Sequence, residues 1–120
     1  MAPIHFKPEA FDEMAQLEQD GETGLVDSLI VDYLEQLPSI LSKIESSAVN
    51  NDYGTLEREI HSLKSSSSLM GLEWVAERAM TMEYEAREKN FDLKSFADLK
   101  DRLKAGCQLL EAFRISRNRN

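Results

Sequence analysis

The stretch REIHSLKSSSSLMGLEW, residues 58–74, gathers most of the side chains in this sequence that could do chemistry. It holds His61, Lys64 three residues later, Ser65 to Ser68 in a row, and then Gly71. A neutral imidazole keeps a lone pair on one ring nitrogen, so it can take up a proton or attack as a nucleophile. A lysine beside it adds a positive charge of the kind that stabilises anionic groups. The serines need a reason, because four of them in a helix cost roughly 2 kcal/mol relative to alanine.

A helical wheel supplies the reason. With His61 at zero, Ile60, Leu63 and Ser67 lie roughly 100–160° away and mark the core side. Ser68, Ser65, Glu57, Lys64 and Arg58 all fall within about 60° of His61. His61 is therefore expected to face solvent. Ser66 and Ser67 face inward or sideways, where small side chains let a neighbouring helix approach. Ser65 and Ser68 flank the ring and keep the ground around it low, so that a partner surface can reach it. Spacing alone leaves a plain solvated histidine as the alternative.

The elements that must position this stretch are helical. Apolar residues recur at helical spacing almost throughout, and no period-2 segment appears. A short first helix is expected from Pro8, carrying Phe11, Met14 and Leu17, with Asp20-Gly21 ending it. A second, capped by Thr23, carries Val26, Ile30, Tyr33, Leu37, Ile40 and Ile44. Pro38 lies inside that pattern and is expected to kink or split the helix near Leu37. A third begins near Asp52 or Thr55, buries Leu56, Ile60, Leu63, Ser67 and Met70, and closes at Gly71. A fourth, from about Leu72 to Lys89, shows Leu72, Val75, Ala79, Met82 and Ala86 on one face. A fifth follows Asn90 and presents Phe96, Leu99, Leu103, Gly106, Leu110 and Phe113. The expectation is an all-α fold: an antiparallel up-down four-helix bundle with an additional short N-terminal helix, as one domain over residues 1–120.

Composition narrows the function classes. The net charge of −8 gives no electrostatic gain on nucleic acid or an anionic membrane. Arg114, Arg117 and Arg119 form a local exception and read as cations complementing a helix C-terminus. A single cysteine, Cys107, excludes an internal disulfide and suits a reducing compartment. The opening MAPIHFKPEA lacks the features of a secretory signal, and the apolar runs are far short of a membrane span. A cytoplasmic, free-standing, monomeric protein is the expectation. No GxxxxGK[ST] loop is present, and the two histidines, His5 and His61, belong to no Cys/His cluster. Neither ATP binding nor a metal site is expected. Trp74 and Tyr84 read as packing or helix-edge aromatics.

The segments IHSLKSSSSLMGL and MEYEARE resemble the histidine-containing phosphotransfer (HPt) domain family. That family's pattern is His-x-x-Lys-Gly-Ser-Ser, a glycine ten residues after the histidine, and an acidic or amide residue about twenty-two after it. His61, Lys64, Ser66, Ser67, Gly71 and Glu83 fall at those positions. The run DSLIVDYLEQLPSILSKIESSAVNNDYGTLEREIHSLK is similar to the family's second and third helices, including its Leu-Pro step. The resemblance is strongest over residues 24–90. One departure is plain: Ser65 stands where the family usually has glycine.

The resemblance implies that His61 accepts and donates a phosphoryl group through Nε2, relaying it between aspartates of receiver domains. It implies that Glu83 orients the imidazole through Nδ1, and that Lys64 stabilises phosphoryl charge. The implied partners are receiver domains of response regulators or of a hybrid sensor kinase. Docking would use Ser65, Ser68, Leu69, Arg58 and Met14. No cofactor is implied for this chain; the Mg²⁺ needed for transfer belongs to the receiver. A non-catalytic helical adaptor that docks a receiver without carrying phosphate is the competing expectation.

Overall fold

The computed structural model describes residues 6–21 and 24–118. A 3-10 turn, Pro8–Phe11, leads into α1 (Asp12–Gln19). Four longer helices follow: α2 (Leu25–Val49), α3 (Tyr53–Leu69), α4 (Glu73–Arg87) and α5 (Leu93–Arg117). The connections at 50–52, 70–72 and 88–92 are so short that successive helices must run antiparallel. Helix α2 packs on α3 and α5, and α4 packs on the same two, which closes a four-helix ring; α1 lies against α2.

The core is built from the expected stripes. Leu56, Ile60, Leu63 and Ser67 of α3 are buried, as are Val75, Ala79, Met82 and Ala86 of α4. Val26, Ile30, Tyr33, Leu37 and Ile44 face them from α2, and Phe96, Leu99, Leu103 and Leu110 from α5. Each fully buried Leu, Ile or Phe contributes about 1.5–3 kcal/mol relative to an exposed one. Ile40 and Phe113 are only partly buried. Leu17, expected on a buried face, is 49% exposed. Helix α1 itself buries no residue fully; Phe11, just before it, is buried and Met14 is partly buried against the core.

Three helices close in the same way. In α2, α3 and α4 the first residue past the cap is left-handed (Asn51 φ 56°, Gly71 φ 77°, Lys89 φ 59°). Its N–H and the next N–H turn back to carbonyls of the last turn, as in Leu72 to Ser67 at 2.9 Å and Asn90 to Glu85 at 2.7 Å. These paired bonds satisfy carbonyls that a helix end leaves free. Gly71 is required twice over. Besides its φ, a β-carbon there would stand 2.5 Å from the Lys7 carbonyl oxygen. Lys7 N–H donates to the Gly71 carbonyl at 2.9 Å, and Phe6 bridges Leu72, so the N-terminal segment lies directly over the α3–α4 turn. Phe6 and Phe11 close over Phe113 of α5, with ring centroids 5.5 and 5.2 Å away.

One expectation changes. Pro38 does not split α2, which runs unbroken from Leu25 to Val49. The exposed pyrrolidine forfeits one backbone bond, and the buried residues on either side hold the helix together. Thr23 lies outside the described residues. Near the start of α2, Glu18 of α1 accepts from Val26 N–H through Oε1 at 2.7 Å.

Candidate functional site

Helix α3 starts cleanly because the Asp52 side chain accepts from Thr55 N–H. Its stripe from Leu56 to Ser67 then seats it in the bundle and turns His61 outward. The imidazole side chain is 59% exposed. Its Nδ1 meets Oε2 of Glu83 on α4 at 3.1 Å. A carboxylate only accepts, so Nδ1 is the donor in this contact, and in the neutral ring that leaves the lone pair on Nε2. Glu83 itself is only 14% exposed, wedged between the two helices.

Glu83 has a second partner. Lys64 Nζ, one turn along α3, donates to Oε1 at 2.7 Å. The hydrogen bond from Lys64, with its charge, holds the Glu83 carboxyl below the usual carboxylate range, against an opposing push from burial; the bond from His61 adds to it. The site is thus a three-part bridge, Lys64–Glu83–His61, spanning the α3–α4 hairpin. Farther along the same hairpin, Arg87 Nε meets Glu57 at 3.1 Å.

The ring stands between two open depressions. One, of about 600 Å³, is lined by His61 and Glu83 with Gly54, Glu57, Arg58 and Ser62. The other, of about 390 Å³, is lined by Lys64, Ser65, Ser68, Ala76, Glu77 and Met80. Ser65 and Ser68 are exposed, and Leu69 is 51% exposed. Arg58 is exposed, with its guanidinium donating to Thr55 Oγ1 at 3.2 Å. Met14 and Leu69 line neither depression, and Met14 packs half-buried against the core.

The serine run divides by face. Ser67 is buried and shares a 2.8 Å hydrogen bond with the Tyr33 hydroxyl across the α2–α3 interface. Ser66 donates back to the Ser62 carbonyl at 2.7 Å. Sequence reasoning gave Ser67 only the role of a small side chain; its bond to Tyr33 was not anticipated. Met80 was missed too. Its signal was present, since Ala76, Met80 and Tyr84 recur at i, i+4 and i+8 beside the buried stripe of α4.

Among the described residues, the bundle holds the His61 imidazole out in solvent, with its Nδ1 against a carboxylate of the next helix. The Hpt domain model matches residues 28–113, from within α2 to within α5, and the chain belongs to that family. Hpt domains are phosphotransfer carriers of phosphorelay signalling and interact with receiver domains of response regulators. Neither the curated proteins nor the solved structures contain a significant match to the chain. No described helix is long and apolar enough to cross a membrane. Among the described residues, no group of three or more His, Cys, Asp or Glu side chains is placed to hold a metal ion.

Proposed function

We propose that this chain relays a phosphoryl group between aspartates of receiver domains through phospho-His61. The observation that carries the reading is the 3.1 Å contact from Nδ1 of an exposed ring to Glu83. It supports Nε2 as the nucleophilic nitrogen, since a neutral ring that donates from Nδ1 keeps its lone pair on Nε2. In loading, Nε2 bonds to phosphorus while the P–O bond of the donor's aspartyl phosphate breaks, and the electron pair leaves on that carboxylate. Such transfer depends chiefly on positioning and charge neutralisation, which suits a site with so few groups.

Lys64 supplies the positive charge near the incoming phosphoryl oxygens. Its ammonium starts on Glu83 and must turn from that partner to reach them. Ser65, Ser68 and Leu69 form the low, accessible ground that a receiver covers, and Arg58 borders it on the other side. Ser65 in place of glycine adds only a small hydroxyl there. The chain needs no cofactor of its own; Mg²⁺ is brought by the receiver's acidic pocket.

The test is direct. Incubated with a phosphorylated receiver domain and Mg²⁺, the chain is expected to take up acid-labile, base-stable label. His61→Gln is expected to take up none while still binding the receiver. Binding by the parent chain without any label uptake would replace the carrier reading with that of an adaptor.

A further inference from the structure

Met80 stands beside the stripe that α4 buries, one turn after Ala76. It is 49% exposed and lines the depression that also holds Lys64, Ser65 and Ser68 of α3. A lone exposed methionine needs no explanation. One that shares a depression with the ground around His61 does. Resting on the carrier reading above, we propose that Met80, backed by Ala76, is an adaptable apolar docking pad. Both the receiver that loads His61 and the receiver that unloads it would seat on this pad.

The register of the hairpin places the pad next to the chemistry. Helices α3 and α4 run antiparallel, so stepping back from Glu83 to Met80 follows the same direction as stepping forward from His61 to Lys64. Three residues of helix cover about 4.5 Å. On the α4 wheel, Ala76 and Met80 lie within about 60° of Glu83, on the side away from the buried Val75, Ala79, Met82 and Ala86. Met80 is therefore less than one turn along the bundle from the carboxylate that meets the ring. A small domain is about 30 Å across. A receiver that brings an aspartyl phosphate to His61 covers this ground too.

The lining shows what kind of surface fits. Lys64 and Glu77 bring opposite charges to the depression, and the ammonium of Lys64 already rests on Glu83, so a small ion finds no field of one sign. Ala76 and Met80 offer apolar atoms, while Ser65 and Ser68 keep the facing wall low. The surface that fits is apolar and convex. An unbranched side chain with a polarisable thioether repacks against surfaces of different shape. A carrier has use for that property, because one histidine must meet two different receivers. A second copy of this chain seated on the pad would cover the ground beside His61 and shut out the receiver that has to reach it.

The test uses the full chain and two isolated receiver domains, from the donor and acceptor sides of a phosphorelay. Titration calorimetry measures the binding of each, and label transfer is followed alongside. Met80→Ala, at an exposed position where alanine is the better helix former, is expected to weaken binding of both receivers by about tenfold. Met80→Leu keeps the size and apolar character of the side chain and is expected to stay within about twofold of the parent. Leu109→Ala, an exposed apolar truncation on α5 that lines neither depression, is expected to leave both affinities as they are. An unchanged affinity for either receiver in Met80→Ala would overturn the proposal, as would an equal loss in Leu109→Ala. Loading from phosphoramidate, which needs no docked receiver, reports on His61 itself. A Met80→Ala chain slowed there as much as in receiver transfer would also overturn the proposal, since the residue would then act through the site and not through docking. A parent dimer in sedimentation that Met80→Ala dissolves would give the pad to a second copy instead. A parent chain that binds receivers but never takes up label would overturn the carrier reading, while the affinities would still decide the role of Met80. A parent that binds neither receiver would overturn both.

Discussion

Tyr33 and Ser67 illustrate how one hydrogen bond is worth different amounts from its two ends. Both side chains are buried, and burial pushes the Tyr33 phenol well above its usual range even though the bond to Ser67 pulls the other way. Ser67→Ala leaves the phenolic hydroxyl buried without a partner, a loss of about 1–3 kcal/mol. Tyr33→Phe leaves a serine hydroxyl that can turn to the carbonyl four residues back, as Ser66 already does. Chemical denaturation is expected to show Tyr33→Phe as the milder change, by about 1 kcal/mol. The exposed His61 was legible from the wheel because it depends on one helix alone. The partners of Lys64 and Ser67 were not, because they depend on how α3 sits against α4 and α2.

Helices in this chain are held by different means at their ends and middles. Pro38 sits on the exposed side of α2, where it lacks the N–H that would donate to the preceding turn. Pro38→Ala is expected to raise stability by about 2 kcal/mol, after allowance for the freer unfolded chain. Thermal melting would register this as a clear upward shift. Gly71→Ala is expected to do the opposite. It places a β-carbon in the left-handed region and against the Lys7 carbonyl oxygen, for a loss of at least about 1–2 kcal/mol. A second signature should accompany it: faster amide exchange at Lys7, whose N–H donates to Gly71. An unchanged Lys7 amide would show that the segment over the turn does not depend on this contact. Gly71 could be read as a helix terminator from sequence. The chain segment lying on it could not, since residues 7 and 71 meet only once the bundle has formed.

Across the whole molecule, acidic side chains hold the first and last helices to the rest. Glu18 of α1 caps α2 and meets Arg117 of α5 at 2.9 Å, and Asp27 of α2 meets Arg114 of α5 at 3.0 Å. The Val26 N–H, followed by Arg117, holds the Glu18 carboxyl below its ordinary value of 4.5. The Asn118 amide, followed by Arg114, does the same for Asp27 below 3.8. A carboxyl depressed in the folded state binds its proton more readily when unfolded, so stability falls as pH falls there. The contribution is complete above about pH 4.5 and is lost as pH drops through the folded values. Melting temperatures are expected to hold down to about pH 5 and then fall, with a smaller acid-induced drop for Glu18→Gln. Equal drops in the two chains would remove Glu18 from this account. Arg114 and Arg117 lie in the last turn of α5, where cations complement a helix end, and they also tie it to α2 and α1; Arg119 lies outside the described residues.

Read from the chain alone were several features carried by a single helix: the stripes from Leu56 to Met70 and from Phe96 to Leu110, the outward direction of His61, and the stop at Gly71. Those follow from a fixed 3.6-residue period and from the steric limits on one backbone position. Tertiary structure alone decided which side chains meet across helices. Lys64 is tied to Glu83, Ser67 meets Tyr33, and α2 is capped by a glutamate eight residues upstream. Such contacts depend on the register of one helix against another. That register is set by the packing of the whole core and leaves no local period to read.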